Sequence, residues 1–340
     1  MKLKSILSIS LLVAFALSSC DSKRWEVTTE KITIDQDYSR FDTDLLEVRE
    51  GGVSQNEWNF LDEKYPNFFS LYVEGIMGFG RINDPLIVNT FNQYLANKDI
   101  AEVLNEVQRV YPKESLLNEF TQLEDAFKRY HYYFPERMIP DVVTMTAAFN
   151  YATAANDQVL AIGLDMYLGG DYEVYPQISI PKYKFKNFER PFMVPDAMKA
   201  WLLTEFETAG GQNLIEQMVY YGKVIYLVDA FLPDHEKHLF FNYTPEDLVW
   251  CEDNEGPIWF HFIDMELLFA TENHQIRKYM GDAPFVAGFP EGSPGRVGQW
   301  VGYQLVKSFM ENNKDIGLKE LMEIQDANQI LRKSNYKPQR

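Results

Sequence analysis

Between residues 38 and 133 apolar side chains recur three and four positions apart: Phe41, Leu45 and Val48; Trp58, Leu61 and Tyr65; Phe68, Leu71, Tyr72 and Ile76. That spacing gathers them on one helix face, and several antiparallel helices are predicted. Asp84-Pro85 opens a further helix with Ile87, Phe91 and Leu95 on one side, and residues 101–111 and 114–133 continue the pattern.

The period changes after Pro135 and Pro140. Residues 141–150 and 158–164 are short, rich in Val, Ile and Thr, and bounded by turn residues, so they predict two strands joined at Ala155-Asn156-Asp157. An aromatic, proline-punctuated loop follows (172–195). Helical spacing returns at 197–208 and 214–231, separated by Gly210-Gly211. Thr244-Pro245 is a strong helix start, with Thr244 as N-cap and Pro245 at the first helical position. The run that follows, 248–269, either continues that helix or splits at Gly256-Pro257. Ser293-Pro294 opens the last clear helix, through Met310.

The two ends of the polarity scale meet at the N-terminus. Lys2 and Lys4 precede an apolar run from Ile6 to Ala16, followed by Leu17-Ser18-Ser19-Cys20. A basic start, a run too short for a mature membrane span and a small-residue cleavage site predict a signal peptide over 1–19. The tetrapeptide resembles a bacterial lipobox, in which Cys20 receives a diacylglyceryl group and becomes the new N-terminus; a second acyl chain then makes anchoring stable. The alternative is ordinary secretory cleavage with Cys20 incidental. Residues 20–37 are polar and mixed in charge, and read as a lipidated tether with an early strand at 27–34.

The remaining chain is long enough for a well-filled core, with 46% apolar and 15% aromatic residues overall. No later stretch reaches the roughly 18 apolar residues of a membrane span. The formal charge is −18, and the leader removes two lysines and no acids, so the mature chain is more acidic still. Nucleic acid is thereby a poor partner, since phosphate binding needs a concentrated basic surface. Once Cys20 is lipidated, Cys251 has no thiol to pair with.

Candidate chemistry is sparse. Of five histidines, His235 and His238 could share a helix face beside Glu236, but the zinc-peptidase pattern His-Glu-x-x-His is one residue longer, and the segment reads more simply as a charged turn. No nucleophile signature or phosphate-binding glycine loop occurs, so no cofactor is expected; Gly75-Ile-Met-Gly78-Phe-Gly80 has the wrong spacing. Asp165, Asp171, Glu205 and Glu207 lie near the strands and read mainly as surface acids. In the segment 293–302, Gly298 and Gly302 are four apart, which allows close backbone approach. Arg296, placed in the first turn of that helix, opposes its dipole. It is either one half of an ion pair that locks the helix, or a ligand-binding arginine.

Several motifs together resemble the gliding-motility lipoprotein GldB family: the lipobox; Asp165-Met-Tyr-Leu-Gly169 followed by Asp171-Tyr172; Tyr220-Tyr221-Gly222-Lys223 with Tyr226 and Asp229; Trp250-Cys251-Glu252; and Ser293-Pro294-Gly295-Arg296 with Gly298, Gln299 and Trp300. The resemblance covers most of the mature chain. It implies a cell-envelope lipoprotein, periplasmic in orientation, serving the motility machinery and its associated secretion system, with envelope proteins as partners. Arg296, Trp300, Tyr221, Lys223, Asp165 and Asp171 are the candidate structural or binding residues it marks.

That family is in turn distantly similar to predicted zinc peptidases of the gluzincin type. Residues 197–208 stand where the metal-binding helix belongs but carry Glu205 and Glu207 and no histidine, and Tyr221-Gly222 stands where Glu-Gly would give a third ligand. The expected fold is α+β and predominantly helical, a small sheet packed with helices around a degenerate zincin-like core. It forms one domain over 38–340, helical to 135 and peptidase-like beyond. The expected function is a non-catalytic scaffold whose cleft, beside the aromatic loop 172–192, binds a partner. The alternative is a membrane-anchored zinc hydrolase with a cryptic site. Which membrane holds the anchor is open.

Overall fold

A computed structural model of the chain describes residues 24–49, 51–206 and 211–338. The signal peptide, Cys20, Glu207 and Gly210 fall outside these residues. Four strands form one mixed sheet in the order β1-β2-β4-β3: β1 (Tyr38–Arg40), β2 (Asp141–Met145), β3 (Thr153–Ala155) and β4 (Val159–Gly163). β1 and β4 both run parallel to β2, while β3 is antiparallel to β4.

Strand residues alternate between two cores. Val142, Leu160 and Ile162 face one helical layer, and Val143, Met145, Val159 and Ala161 face the other. A sheet covered on both faces needs apolar residues at consecutive positions, which is why β2 and β4 read as continuous apolar runs. The N-terminal layer contains α1 (Phe41–Arg49), α2 (Gln55–Lys64), a π-helical segment (Leu71–Ile76), α3 (Ile87–Leu95) and α4 (Lys98–Val110). Aromatic edge-to-face packing fills it: Phe41 lies 4.7 Å from Tyr72 and Trp58 4.7 Å from Phe69, centroid to centroid.

The second layer comprises α5 (Leu117–Tyr133), α6 (Met193–Glu205), α7 (Leu214–Phe231), α8 (Pro245–Asp253), α9 (Glu255–Asp264), α10 (Asn273–Met280), α11 (Val297–Asn312), α12 (Leu318–Glu323) and α13 (Ala327–Ser334). Its centre is the crossing of α7 and α11, where both helices are buried nearly all round. The fold is therefore predominantly helical α+β, as the periodicity predicts.

Four details differ from the sequence reading. Residues 27–34 form no strand: the arm is extended with alternating burial, interrupted by a 3₁₀ turn at Thr29–Lys31, and strand pairing starts only at Tyr38. The turn after Ala155 joins β3 to β4, not β2 to β4, because β2 and β4 are parallel and cannot share a tight hairpin. The split in 248–269 falls at Asn254, so Gly256-Pro257 sit in the first turn of α9, where proline lacks no needed donor. Finally, α6 begins at Met193 and so takes Pro195 into its own first turn.

Residues 24–37, which composition reads as tether, are laid onto the body. The Arg24 guanidinium donates to the carbonyls of Met310, Lys314 (3.1 Å) and Ile316 (2.7 Å). The Trp25 indole donates to the Tyr226 hydroxyl at 2.9 Å and packs edge-on against Tyr133.

Candidate functional site

A cleft with a linked set of charged side chains lies beside the free edge of β3. It is an open cleft of about 480 Å³, walled by the Phe149–Thr153 segment, the 179–188 loop and α6. α6 presents Asp196, Lys199, Ala200 and Leu203 to it, spacings of three and four that define one helix face. Asn242, Asp282 and Arg296 close the floor.

Two cations converge there on one neutral oxygen. Lys199 Nζ donates to Asn242 Oδ1 at 2.5 Å and to the Phe240 carbonyl at 3.2 Å; Arg296 Nη1 donates to the same Asn242 oxygen at 2.6 Å. Asn242 in turn donates to Asp196 Oδ1 at 2.7 Å. Ion pairs complete the ring: Lys199 with Asp196 (3.4 Å), Arg296 with Asp282 (3.4 Å), and Lys184 with Asp282 (3.2 Å). Burial holds the Lys199 ammonium below the ordinary lysine range, with Asp196 opposing and Arg296 adding to the shift. Three cations meet two carboxylates, a local surplus of positive charge in a strongly acidic chain.

Backbone strain collects at the same place. Phe149 (φ 63°), Asn242 (φ 56°) and Arg296 (φ 56°) all line the cleft in the left-handed region, which costs a non-glycine residue on the order of 1 kcal/mol or more. Asn242 closes the 3₁₀ turn Lys237–Phe241, and Arg296 is the N-cap of α11 rather than a first-turn residue. Its nearest carboxylate is Asp282, and about a quarter of the side chain stays open to the cleft.

Asp165 shapes the wall instead of lining it. It follows β4, is fully buried, and accepts from the backbone N–H of Ala147 (3.2 Å) and Phe149 (2.6 Å), so it clamps the left-handed Ala148–Phe149 turn. Burial is the main cause that raises its carboxyl to about 6, against those stabilising N–H donors. It is not the surface acid that composition suggests. Asp171 is exposed on the rim of a separate, wide acidic groove of about 1170 Å³ beside α4.

The other marked residues serve packing. Trp300 is buried in α11. Lys223 is buried in α7, with its ammonium on the Ile324 carbonyl and its affinity for protons lowered to about 8 by burial. Tyr221 is half-buried against Tyr220. Glu205 holds Arg137 (3.2 Å) and accepts from the Tyr130 hydroxyl (3.0 Å), so it too is structural. His235 and His238 take separate partners: His235 Nε2 meets Gln122 Oε1 at 3.2 Å, and His238 Nδ1 meets Glu236 at 3.3 Å. Among the described residues no three His, Cys, Asp or Glu side chains are grouped to hold a metal ion. The aromatic loop is also different from the expectation. Tyr175, Phe188 and Phe192 are buried and stack on one another or on the core, so they are not an exposed recognition surface.

Sequence reasoning missed Asp196, Lys199, Asn242 and Asp282, which come from three segments far apart in the chain. Only Asn242 carried a local signal, an asparagine directly after an apolar turn, where left-handed closure favours it.

The acids of the cleft are engaged by cations, its cations share an acceptor, and no serine or cysteine paired with a base lines it. A family model described as gliding motility protein GldB matches residues 22–338. No curated protein and no solved structure matches.

Proposed function

The chain belongs to the gliding motility protein GldB family, and from that premise we propose a non-catalytic cell-envelope lipoprotein that offers its cleft to a partner protein of the motility and secretion apparatus. Lipid on Cys20 anchors it, with the body on the periplasmic side. The partner supplies an extended segment that adds to the sheet along β3, with side chains entering the charged cleft.

The observation that carries this reading is the open edge of β3. Gly163 N–H donates to the Ala152 carbonyl and Asn156 N–H to the Val159 carbonyl, so residues 152, 154 and 156 turn their polar groups inward to β4. By strand alternation Thr153 and Ala155 direct theirs outward, where no strand follows among the described residues. An unpaired edge is a template for strand addition, with main-chain bonds giving affinity and neighbouring pockets giving selectivity.

Thr153→Pro tests it. Proline removes one outward donor and is tolerated at such an edge position. Cross-linking in the envelope is expected to yield a reproducible partner of the wild-type chain that the variant loses while staying folded. Equal capture by both chains, or no reproducible partner at all, counts against the reading.

A further inference from the structure

The lipid-bearing cysteine and the first pinned residue are very close in sequence. Only Asp21, Ser22 and Lys23 separate Cys20 from Arg24. Fully extended, that link reaches about 14 Å. Arg24 is fixed by three carbonyls at the C-terminal end of α11 and in the turn after it, and Trp25 beside it is held by Tyr226. The place where the anchor leaves the body is therefore defined, and the leash is shorter than the body is wide.

We infer that this short leash holds the bilayer against the end of the molecule formed by Arg24 and the 310–316 turn, so that α11 points from the membrane to the cleft. The inference rests on the lipid anchor of the proposed function. Arg296 caps the opposite end of α11, and fourteen residues of rise separate it from Met310, about 21 Å. The cleft thus opens well away from the headgroups, where an extended partner segment has room to reach β3.

Charge agrees with this orientation. Residues 301–340 carry seven Lys and Arg against five Asp and Glu, within a chain of formal charge −18. Exposed Lys314 and Lys333 come together at the anchoring end, since Asn313 bridges to the Lys333 carbonyl at 3.3 Å. These two lysines can meet anionic headgroups, whereas the cations of the cleft are engaged by Asp196 and Asp282.

The full lipidated chain in vesicles of phosphatidylethanolamine with a minor share of phosphatidylglycerol provides the test. A fluorophore is placed on Lys314→Cys or on Ser179→Cys, the latter exposed at the cleft rim. Cys251 is fully buried and stays unlabelled. Headgroup-quencher lipid is expected to quench the label at 314 severalfold more than that at 179. Equal quenching, or stronger quenching at 179, overturns the inference while leaving the anchor standing. A chain that fails to float with the vesicles removes the anchor and the inference with it. A Gly-Ser insert of about 15 residues between Lys23 and Arg24, spanning roughly 20 Å, leaves the folded residues untouched and is expected to abolish the difference. A difference that survives the insert overturns the role given to the leash.

Discussion

Gly222 and Gly302 meet backbone to backbone where α7 crosses α11: a Cβ on Gly222 would stand 2.2 Å from the Gly302 carbonyl oxygen, and one on Gly302 would stand 1.8 Å from that of Met218. Neither partner is a flexible side-chain end, so the helices must separate to admit a methyl group. Gly302→Ala is expected to destabilise the fold by about 3 kcal/mol or to prevent folding, read as a lowered urea midpoint. Gly298→Ala meets chiefly the Met280 sulfur, at 2.5 Å, which can swing away. Its cost is expected to be clearly smaller, and an equal cost at both positions would contradict this account of the crossing.

The close approach at Gly298 and Gly302 was legible from their spacing, but the partner was not, because periodicity reports a face and not what lies against it. The same limit explains the sheet. Apolar runs at 141–145 and 159–163 mark buried strands, yet Thr153-Ala-Ala155 is too short and too weakly patterned to register. Missing β3 turned a parallel pair into a hairpin. The cleft was nearly invisible for a related reason. Arg296 attracted notice because it opposes a helix dipole, whereas Lys199 and Asp282 look like ordinary surface charges until the fold brings them around Asn242.

Asp165 gives the chain an unusual response to acid. Its folded carboxyl titrates near 6, above the ordinary carboxylate, so the native state binds the extra proton first. Its contribution is therefore fully present below the unfolded value near 4 and is lost as pH rises through about 6. The shift corresponds to about 3 kcal/mol. Wild type minus Asp165→Asn, followed by urea denaturation, is expected to show stability rising as pH falls from 7 to 5. A flat difference curve would show that the carboxyl is already ionised at no cost.

Lys223 runs with the opposite charge sign. Burial lowers its ammonium to about 8, so between that value and the ordinary 10.5 the unfolded chain holds more protons. Stability is thus expected to rise with pH across that window. Lys223→Met removes the buried charge and loses one bond to the Ile324 carbonyl. A net gain of about 1–2 kcal/mol at pH 7, turning into a loss of similar size above pH 10, is the expected result by thermal or urea unfolding. Destabilisation at both pH values would mean that the bond outweighs the desolvation.

Arg296 can be separated into its two roles by choosing the right replacement. Its φ of 56° suits glycine, so Arg296→Gly relieves backbone strain of on the order of 1 kcal/mol while it removes the guanidinium. The lost pair with Asp282 is partly exposed and contributes about 0–1 kcal/mol, and Lys184 still holds that carboxylate at 3.2 Å. Stability of Arg296→Gly is therefore expected to stay within about 1 kcal/mol of wild type, whereas Arg296→Ala keeps the strain and is less stable than the glycine variant. If the cleft binds its partner through this guanidinium, both variants lose envelope cross-linking by roughly tenfold or more, the cost of deleting a charge-assisted contact. A glycine variant that keeps full cross-linking would mean that the guanidinium makes no contact with the partner, whose contacts would then have to be sought along β3.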